Sequence, residues 1–555
     1  MIERRSAAAL ATVLFAAAAT AQQPTPKTFD DALARYRQCI GRLPFVHHTE
    51  GREALATIGS PEALKVLLED YRSPKIEPEY TRYTLAAMFG QHFDNDDCVG
   101  MLKALRLEQQ KPADAWLWVN SLMVEARRFT AEEPLRLVAE GKMTWQKAAA
   151  IAALGYAHFS SVFDAIQVAC AAFPKKDKLA DRYLLLGAMS GAIYDNRSKA
   201  RLPGSRAGMT AYINLLAPEV DLPHTAKVQM ARHLQWTLDG PGLMIDTASW
   251  LNLLEQPEKK ASKGTTTTGQ PRFFGIETEG ERFCYVVDLS DSMCKPLDPE
   301  VIPHGGPITG PRKKRPKGEL PTEDDLPWNL IKNRFDLAKE HLKLSLQRLP
   351  EDKYFSIVWF GDDAGTLPSC PGLIKATKAN VAKVIKDLDA IVPGPPDKDK
   401  ALDGTLKGAT NMHAGLRQAF SLSGKSFVEG AAYVDPDALT EGCDTIFLLS
   451  DGAPSWDEFH KVDKDYGEGN VVIDTEYNKG VAKRPPMINY HGPYDRPEWL
   501  VEDVRRMNAF RRVRLHCIAI GEANVHLLDQ LAAMGHGEVY TVGRAPVKKP
   551  GADGK

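Results

Sequence analysis

Hydrophobic and polar residues follow two different patterns in the two halves of the 555-residue chain. From residue 28 to about 254, apolar positions recur at the three- and four-residue spacing of amphipathic helices. Beyond residue 272, short and nearly continuous apolar runs alternate with amphipathic stretches. These patterns predict an all-α half, 28–254, followed by an α/β half, 272–543.

The helical half carries regular start and stop signals. In ALATIGSPEALKVLLEDY, Gly59 fits the end of one helix, Ser60 the N-cap of the next helix and Pro61 its first turn. A similar small-residue hexamer that ends in glycine recurs as LAAMFG (85–90) and AIAALG (150–155). The spacing of these segments resembles that of HEAT-like repeats, in which helical pairs stack into a solenoid. An irregular helical domain is the alternative, and in either case we expect a scaffold or docking surface.

Five apolar runs in the second half predict buried β-strands, and helical stretches separate them. The predicted strands are 282–289, 354–360, 444–450, 515–521 and 538–542, and the predicted helices between them include 334–349, 380–391 and 413–420. Near-continuous apolar strands that alternate with helices indicate a doubly wound, mostly parallel sheet covered on both faces.

Four segments carry little core-forming sequence. The segment 255–271 is rich in Lys, Thr, Gly and Pro, which predicts a flexible linker and, with it, an independent helical half. Residues 295–327 are rich in proline and charge and are predicted to form a mobile loop. Residues 453–500 form a second insertion with aromatic residues among polar ones, and the tail 544–555 is predicted to be disordered.

Composition limits the function classes. The net charge of −2 gives no electrostatic basis for binding nucleic acid or an anionic membrane. Eight scattered cysteines, none of them in a C-x-x-C pair, argue against a disulfide scaffold and a structural zinc site. The chain contains neither a G-x-S-x-G nucleophile motif nor a G-x-x-x-x-G-K-[ST] phosphate-binding motif. Composition and motifs therefore favour a soluble protein without these common catalytic sites.

The N-terminus has the pattern of a secretory signal peptide, predicted to span 1–21. Two arginines precede an apolar run over 7–19, and the small residues Ala19 and Ala21 come before Gln22. The run is shorter than the about 20 residues that a membrane span needs. We therefore expect a mature protein that has no membrane span and is exported, so that it is periplasmic, cell-surface or secreted.

Oxygen-bearing side chains follow the first long strand of the α/β half at every second position. In VVDLSDSMCK, an extended backbone directs Asp288, Ser290 and Ser292 to the same side. Thr410 precedes a predicted helix in KGATNMHAGL, and Asp451 follows another strand in LLSDGAPS. Because sites in open α/β sheets form beyond the carboxyl ends of the strands, we expect these five side chains to meet.

The five residues contribute two carboxylates and three hydroxyls, with neither histidine nor cysteine. Such hard oxygen ligands suit Mg²⁺, Mn²⁺ or Ca²⁺ and do not suit zinc or copper. The set therefore predicts a divalent cation site, with Mg²⁺ as the first choice.

These motifs resemble the metal-ion-dependent adhesion site (MIDAS) of von Willebrand factor type A (VWA) domains. The resemblance covers about 272–543. It departs from the usual pattern at Ala409, where glycine is expected, and in the loop 295–327 directly after the D-x-S-x-S motif, which is long enough to cover the metal. By this resemblance, hydroxyl oxygens come from Ser290, Ser292 and Thr410, while Asp288 and Asp451 coordinate directly or through water. One coordination position would stay open for an acidic group of a partner.

The resemblance implies a non-enzymatic, metal-dependent protein-binding or adhesion module whose protein ligand presents an acidic side chain, and the signal-peptide pattern places this module outside the cytoplasm. The alternative is an extracytoplasmic hydrolase in which the same cation activates water, although the sequence offers neither a convincing general base nor a substrate-pocket motif for it. His413, just after the Thr410 turn, is a candidate acid or base near the metal, but we expect it to pack or hydrogen-bond at the start of its helix. The repulsion between two neighbouring carboxylates further predicts that replacing Asp451 with alanine raises the stability of the metal-free protein slightly.

Overall fold

The computed structural model describes residues 26–40, 45–240, 244–256, 272–277, 279–297, 301, 320–361, 363–391, 410–455, 457–459 and 493–542. The predicted signal peptide, the predicted tail and most of the predicted linker and insertions lie outside these residues. Within the described residues, an all-α half is followed by an α/β half, as the sequence predicts.

The described part of the helical half contains thirteen α-helices. They are α1 (Phe29–Cys39), α2 (Val46–Ala56), α3 (Pro61–Arg72), α4 (Pro78–His92), α5 (Asp96–Glu108), α6 (Ala115–Arg128), α7 (Glu132–Glu140), α8 (Thr144–Tyr156), α9 (Val162–Ala171), α10 (Leu179–Asp195), α11 (Arg206–Asn214), α12 (His224–Leu238) and α13 (Thr247–Glu255). Among the described residues, no helix combines the length and apolarity required to cross a membrane.

The helices are arranged in two layers. Each even-numbered helix from α2 to α12 packs against the next even-numbered helix, and the odd-numbered helices form the second layer through contacts such as α1 with α3 and α9 with α11. Sequence neighbours such as α1 and α2, α5 and α6, and α7 and α8 pack across the layers. Stacked helical pairs of this kind are typical of a solenoid, in agreement with the predicted repeats.

Small residues set how closely these helices approach. The side chain of Ser60 caps α3, as predicted. In α4, a Cβ on Gly90 would overlap the side chain of Asn120 of α6, and in α8 a Cβ on Gly155 would lie 2.8 Å from the Cβ of Ala192 of α10. The recurring glycines at the ends of LAAMFG and AIAALG therefore mark close contacts between successive even-numbered helices.

In the described residues, the α/β half contains a seven-stranded sheet and a two-stranded hairpin. The hairpin is β1 (Arg272–Phe273) with β2 (Ile276–Glu277), and the sheet contains β3 (Arg282–Asp288), β4 (Tyr354–Phe360), β5 (Ala364–Thr366), β6 (Ile374–Lys375), β7 (Thr445–Ser450), β8 (Arg514–Ala519) and β9 (His536–Thr541). The strand order is β5-β4-β3-β7-β8-β9, with β6 beside β4. The five predicted strands are confirmed and run parallel, whereas the short β5 and β6 pair antiparallel with β4.

Helices cover both faces of the sheet. They are α14 (Arg334–Arg348), α15 (Lys378–Ala390), α16 (Met412–Ser421), α17 (Pro436–Glu441), α18 (Pro497–Met507) and α19 (Val525–Met534). Phe283, Tyr285 and Val287 of β3 belong to the core under α14 and α15, whereas Cys284 and Val286 belong to the core under α16, α18 and α19. Burial on both faces explains why this strand is a continuous apolar run.

The two halves share one hydrophobic core. The core of the helical half continues into the α/β half through large side chains, namely Tyr433, Phe459, Tyr494, Trp499 and Phe510. Helix α10 contacts α17, and α4 contacts α18. The two halves therefore form one packed body, whereas the sequence pattern predicts an independent helical unit.

A buried arginine adds polar contacts to this interface. Arg232 of α12 is fully buried, and its Nη2 donates to the backbone carbonyl of Asp444 at 2.9 Å. Its Nη1 donates to Oγ1 of Thr445 at 3.0 Å. Because Thr445 begins β7, this contact places α12 against the amino-terminal edge of the sheet, opposite the carboxyl ends of the strands.

Candidate metal centre

The carboxyl ends of two neighbouring strands carry the two predicted carboxylates. Asp288 is the last residue of β3, and Asp451 directly follows β7, which pairs in parallel with β3. Both residues are fully buried. Parallel pairing of β3 with β7 therefore brings together two carboxylates that are far apart in the sequence.

Local hydrogen bonds orient the carboxylate of Asp288. Its Oδ1 accepts a hydrogen bond from the backbone N–H of Ser290 at 2.9 Å, and its Oδ2 accepts one from Oγ of Ser450 at 2.7 Å. Burial and the neighbouring charge of Asp451 raise the pKa of the Asp288 carboxyl, and the hydrogen bonds from the two serines oppose this effect. The ionised form of Asp288 is therefore costly unless a cation compensates its charge.

Three side-chain oxygens form a continuous row beside Asp288. Oγ of Ser290 lies 3.0 Å from Oγ of Ser292, which donates to Oδ1 of Asp451 at 2.6 Å. Neighbouring ligands of an octahedral Mg²⁺ ion, each about 2.1 Å from the metal, are separated by about 3 Å. These separations are those of ordinary O–H···O hydrogen bonds, and they also place the three oxygens close enough to be adjacent ligands of one small cation.

Thr410 lies beside this row. Its N–H donates to Oγ of Ser455 at 3.2 Å, and its carbonyl accepts from the N–H of Ser455 at 3.1 Å, which joins the loop before α16 to the segment after β7. A Cβ on Gly452 would lie 3.6 Å from Oγ1 of Thr410 and 3.9 Å from Oγ of Ser292. The structure thus brings all five predicted side chains to the carboxyl edge of the sheet, and their role as metal ligands stays a prediction.

A sixth residue, Arg334, completes the site and was not predicted from the sequence. It begins α14, its side chain is buried, and its Nη1 donates to Oδ2 of Asp451 at 2.7 Å. Burial raises the pKa of Asp451, and the contacts with Ser292 and Arg334 oppose this shift. The side chain of Asn333 caps α14, so the N-cap pattern is the sequence signal that could have located Arg334 at the first turn.

The residues present fit a hard divalent cation. In the part of the chain that the structure describes, no group of three or more His, Cys, Asp and Glu residues is placed to hold a metal, so a candidate site has to include hydroxyl oxygens. The row formed by Ser290, Ser292 and Asp451 supplies them next to a second carboxylate. A divalent cation would also remove the repulsion between the two buried carboxylates.

His413, the candidate acid or base, is held by packing. Its Nε2 lies 2.9 Å from Oδ2 of Asp503, and its ring stacks on Tyr494 with the ring centroids 3.5 Å apart. Asp503 in turn accepts a hydrogen bond from Nε of Arg506 at 2.7 Å. These contacts give His413 a structural role at the start of α16.

A comparison with protein families concerns the α/β half. Residues 331–466 and 492–541 match the family model described as the von Willebrand factor type A domain. This match begins after the D-x-S-x-S segment, which lies at the end of β3 in the same sheet. Among solved structures, a von Willebrand factor type A protein from Catenulispora acidiphila matches with 15% identity and a TM-score of 0.26, over 49% of this chain and 40% of that chain. No curated protein matches this chain.

Proposed function

We propose that the α/β half of this chain, a von Willebrand factor type A domain, is a metal-dependent protein-binding module. VWA domains are in general protein-interaction modules, and the proposal adds the dependence on a cation. The observation that supports it best is the row of Oγ of Ser290, Oγ of Ser292 and Oδ1 of Asp451, with separations of 3.0 and 2.6 Å.

The residues that would hold the cation are Asp288, Ser290, Ser292, Thr410 and Asp451. Mg²⁺ is the first choice, because the ligands are hard oxygens and few in number. When bound, the cation would supply a positive charge that an acidic group of the partner protein can approach. Arg334 and Lys295 both place positive charge near Asp451, which further favours an anionic partner group over a cationic one.

The helical half would serve as the scaffold of this module. Phe459, shortly after Asp451, packs its ring against Phe45 and Tyr80 of the helical half, with centroid distances of 4.7 and 4.8 Å. The segment that follows the predicted metal ligand is thereby anchored to the solenoid. A fixed segment of this kind keeps the binding face in one conformation and lowers the entropy lost on association.

The contacts of His413 favour binding over hydrolysis. A metal-assisted hydrolase needs a base that can reach the metal-bound water or the substrate. Nε2 of His413 contacts Asp503, its Nδ1 is buried, and Tyr494 stacks on the ring, so neither ring nitrogen is exposed to solvent. A screen of the purified chain against ester, peptide and phosphoester substrates tests this part of the proposal, and cation-dependent turnover that is lost in Asp288→Ala protein would favour the hydrolase.

We further propose that the protein acts outside the cytoplasm, on the basis of the signal-peptide pattern in 1–21. The mature chain is then expected to begin near Gln22. N-terminal sequencing of the protein isolated from its native cells measures this directly, and recovery of Met1 on the abundant form would contradict export.

The cation site can be tested by calorimetry on the full chain. Mg²⁺ and Mn²⁺ should bind to the unaltered protein, and Asp451→Ala should remove most of this affinity. Asp529→Asn is a matched control, because it removes one exposed carboxylate from α19 on the same half. Absence of Mg²⁺, Mn²⁺ and Ca²⁺ binding at millimolar concentration would refute the site.

Partner binding can be tested by affinity capture from the cell exterior with and without a chelator. The chelator and Asp451→Ala should each abolish capture, and their effects should not add because both remove the same cation. Undiminished capture by Asp288→Ala/Asp451→Ala protein would place recognition elsewhere, most simply on the helical half.

A further inference from the structure

The two carboxylate oxygens of Asp451 have different partners. Oδ1 accepts the hydrogen bond from Oγ of Ser292 at 2.6 Å, on the side of the other predicted ligands. Oδ2 accepts the hydrogen bond from Nη1 of Arg334 at 2.7 Å, on the side of α14. One oxygen of this carboxylate is therefore available to a cation, and the other is held by a charged donor.

The position of Arg334 is tightly constrained. Its side chain is 5% exposed, and its backbone N–H donates to the carbonyl of Lys295 at 3.1 Å, which ties the start of α14 to the D-x-S-x-S loop. Gly521, with φ of +59°, packs against the guanidinium so closely that a Cβ at this position would overlap it. Arg334 therefore cannot turn away from Asp451 without moving the loops around it.

Mg²⁺ and Ca²⁺ differ in the number of oxygens that they bind from one carboxylate. Ca²⁺ takes six to eight oxygen ligands and often binds both oxygens of one carboxylate, whereas Mg²⁺ requires six ligands in near-ideal octahedral geometry. A carboxylate limited to one oxygen suits Mg²⁺ and deprives Ca²⁺ of one ligand. The contact between Arg334 and Asp451 imposes this limit.

We propose that Arg334 is a positioning residue that restricts Asp451 to one metal-facing oxygen and thereby makes the site select Mg²⁺ over Ca²⁺. This inference rests on the proposed cation site and adds to it a determinant of cation choice. Arg334 acts through Asp451 and does not itself touch the cation.

The charge of Arg334 also affects cation affinity, and this effect cancels in the ratio of the dissociation constants for Ca²⁺ and Mg²⁺. A buried positive charge next to Asp451 weakens the binding of every divalent cation to a similar extent, because Mg²⁺ and Ca²⁺ carry the same charge. The restriction to one oxygen, in contrast, acts on Ca²⁺ alone. The ratio of the dissociation constants for Ca²⁺ and Mg²⁺ therefore reports the geometric role.

The test is calorimetric titration of the full chain with MgCl₂ and with CaCl₂. In Arg334→Met, which keeps an unbranched apolar side chain and frees Oδ2, the ratio of Kd for Ca²⁺ to Kd for Mg²⁺ should fall by about tenfold or more, the size of effect that contacts beyond the direct ligands commonly have. Arg348→Met is the matched control, because Arg348 ends the same helix and its guanidinium lies 3.6 Å from Glu323. This control should leave the ratio unchanged.

Gly521→Ala provides a second test that keeps the arginine. Its methyl group would overlap the guanidinium and has to displace it while the charge stays, so loss of the contact with Asp451 should lower the ratio as in Arg334→Met. An unchanged ratio in either variant, with the fold verified by circular dichroism, would overturn the inference and leave the cation site intact. Absence of cation binding to the unaltered chain would refute the site, and the inference with it.

Discussion

The backbone carbonyl of Phe510 lies directly against the Cα of Gly187, where α10 of the helical half meets the segment before β8. One turn further along α10, Gly191 makes room for the guanidinium of Arg512 in the same way. Residues four apart share one face of a helix, so the two glycines form a groove for the segment 510–512. The absence of two side chains from α10 thus allows the two halves of the chain to pack closely.

Substitution of Gly187 tests this contact. Gly187→Ala should lower the free energy of unfolding by about 1–3 kcal/mol, because a methyl group at this position has to displace a backbone carbonyl. Gly100→Ala in α5 is the matched control, since no atom lies within 4 Å of the added Cβ. That control should raise the free energy of unfolding by about 0.5–1 kcal/mol through helix propensity alone. Urea denaturation of both variants measures the difference, and a stabilising Gly187→Ala would contradict the close packing.

The shared core predicts that the halves stay together after cleavage of the chain between them. Limited proteolysis is expected to cut within the predicted linker, 255–271, and within the predicted loop, 295–327, because these segments are rich in Lys and Gly or Pro. After cleavage in the linker, the two fragments should co-elute in gel filtration at the size of the intact chain, because the aromatic contacts and Arg232 hold them together. Separation of the fragments without denaturant would show that the interface is weak.

The contact between Arg334 and Asp451 changes the expected effect of removing Asp451. Asp451→Asn leaves the buried guanidinium without the carboxylate of Asp451, so the metal-free protein should lose about 2–4 kcal/mol of stability. From the sequence alone, a slight gain is expected for the related variant Asp451→Ala. Asp288→Asn removes the other carboxylate and leaves the ion pair of Asp451 intact. It should therefore stabilise the metal-free protein, by about 1–2 kcal/mol.

Thermal unfolding in the presence of a chelator distinguishes these two expectations. Both variants should bind Mg²⁺ more weakly than the unaltered chain, so calorimetry alone would not separate them. A gain in stability for Asp451→Asn and a loss for Asp288→Asn would show that repulsion, and not the ion pair with Arg334, dominates at Asp451.

The burial of His516 predicts that the free energy of unfolding decreases in acid. Its Nδ1 accepts the N–H of Glu538 at 3.1 Å in the central sheet, and burial lowers the pKa of its imidazole well below the ordinary value. The folded state therefore favours the neutral ring, so the contribution of His516 to stability is complete above about pH 6.5 and decreases as the pH falls further. The slope of unfolding free energy against pH should fall by up to about 1.4 kcal/mol per pH unit in His516→Asn. Equal slopes for both proteins between pH 4.5 and 6.5, on urea denaturation, would contradict this role.

The sequence by itself determined the fold class, the strands of the parallel sheet and the set of candidate ligands. These features depend on local patterns, because the repeat of apolar positions differs between helices and strands and parallel strands place their carboxyl ends at one edge. Asp288 and Asp451 could therefore be assigned to one site before their neighbours were known. The short strands β5 and β6 were not predicted, since two or three residues are too few to show a repeat.

The tertiary structure alone decided how the two halves pack and which residue orients Asp451. The local sequence around Arg334 is that of an ordinary helix start, and its role arises from a contact with a residue more than one hundred positions away. The docking of α10 likewise depends on Gly187 and Gly191 facing Phe510 and Arg512, which no local pattern connects. Burial and long-range proximity determine the energy of such contacts, and both are properties of the folded chain, because residues distant in the sequence become neighbours only when the chain has folded.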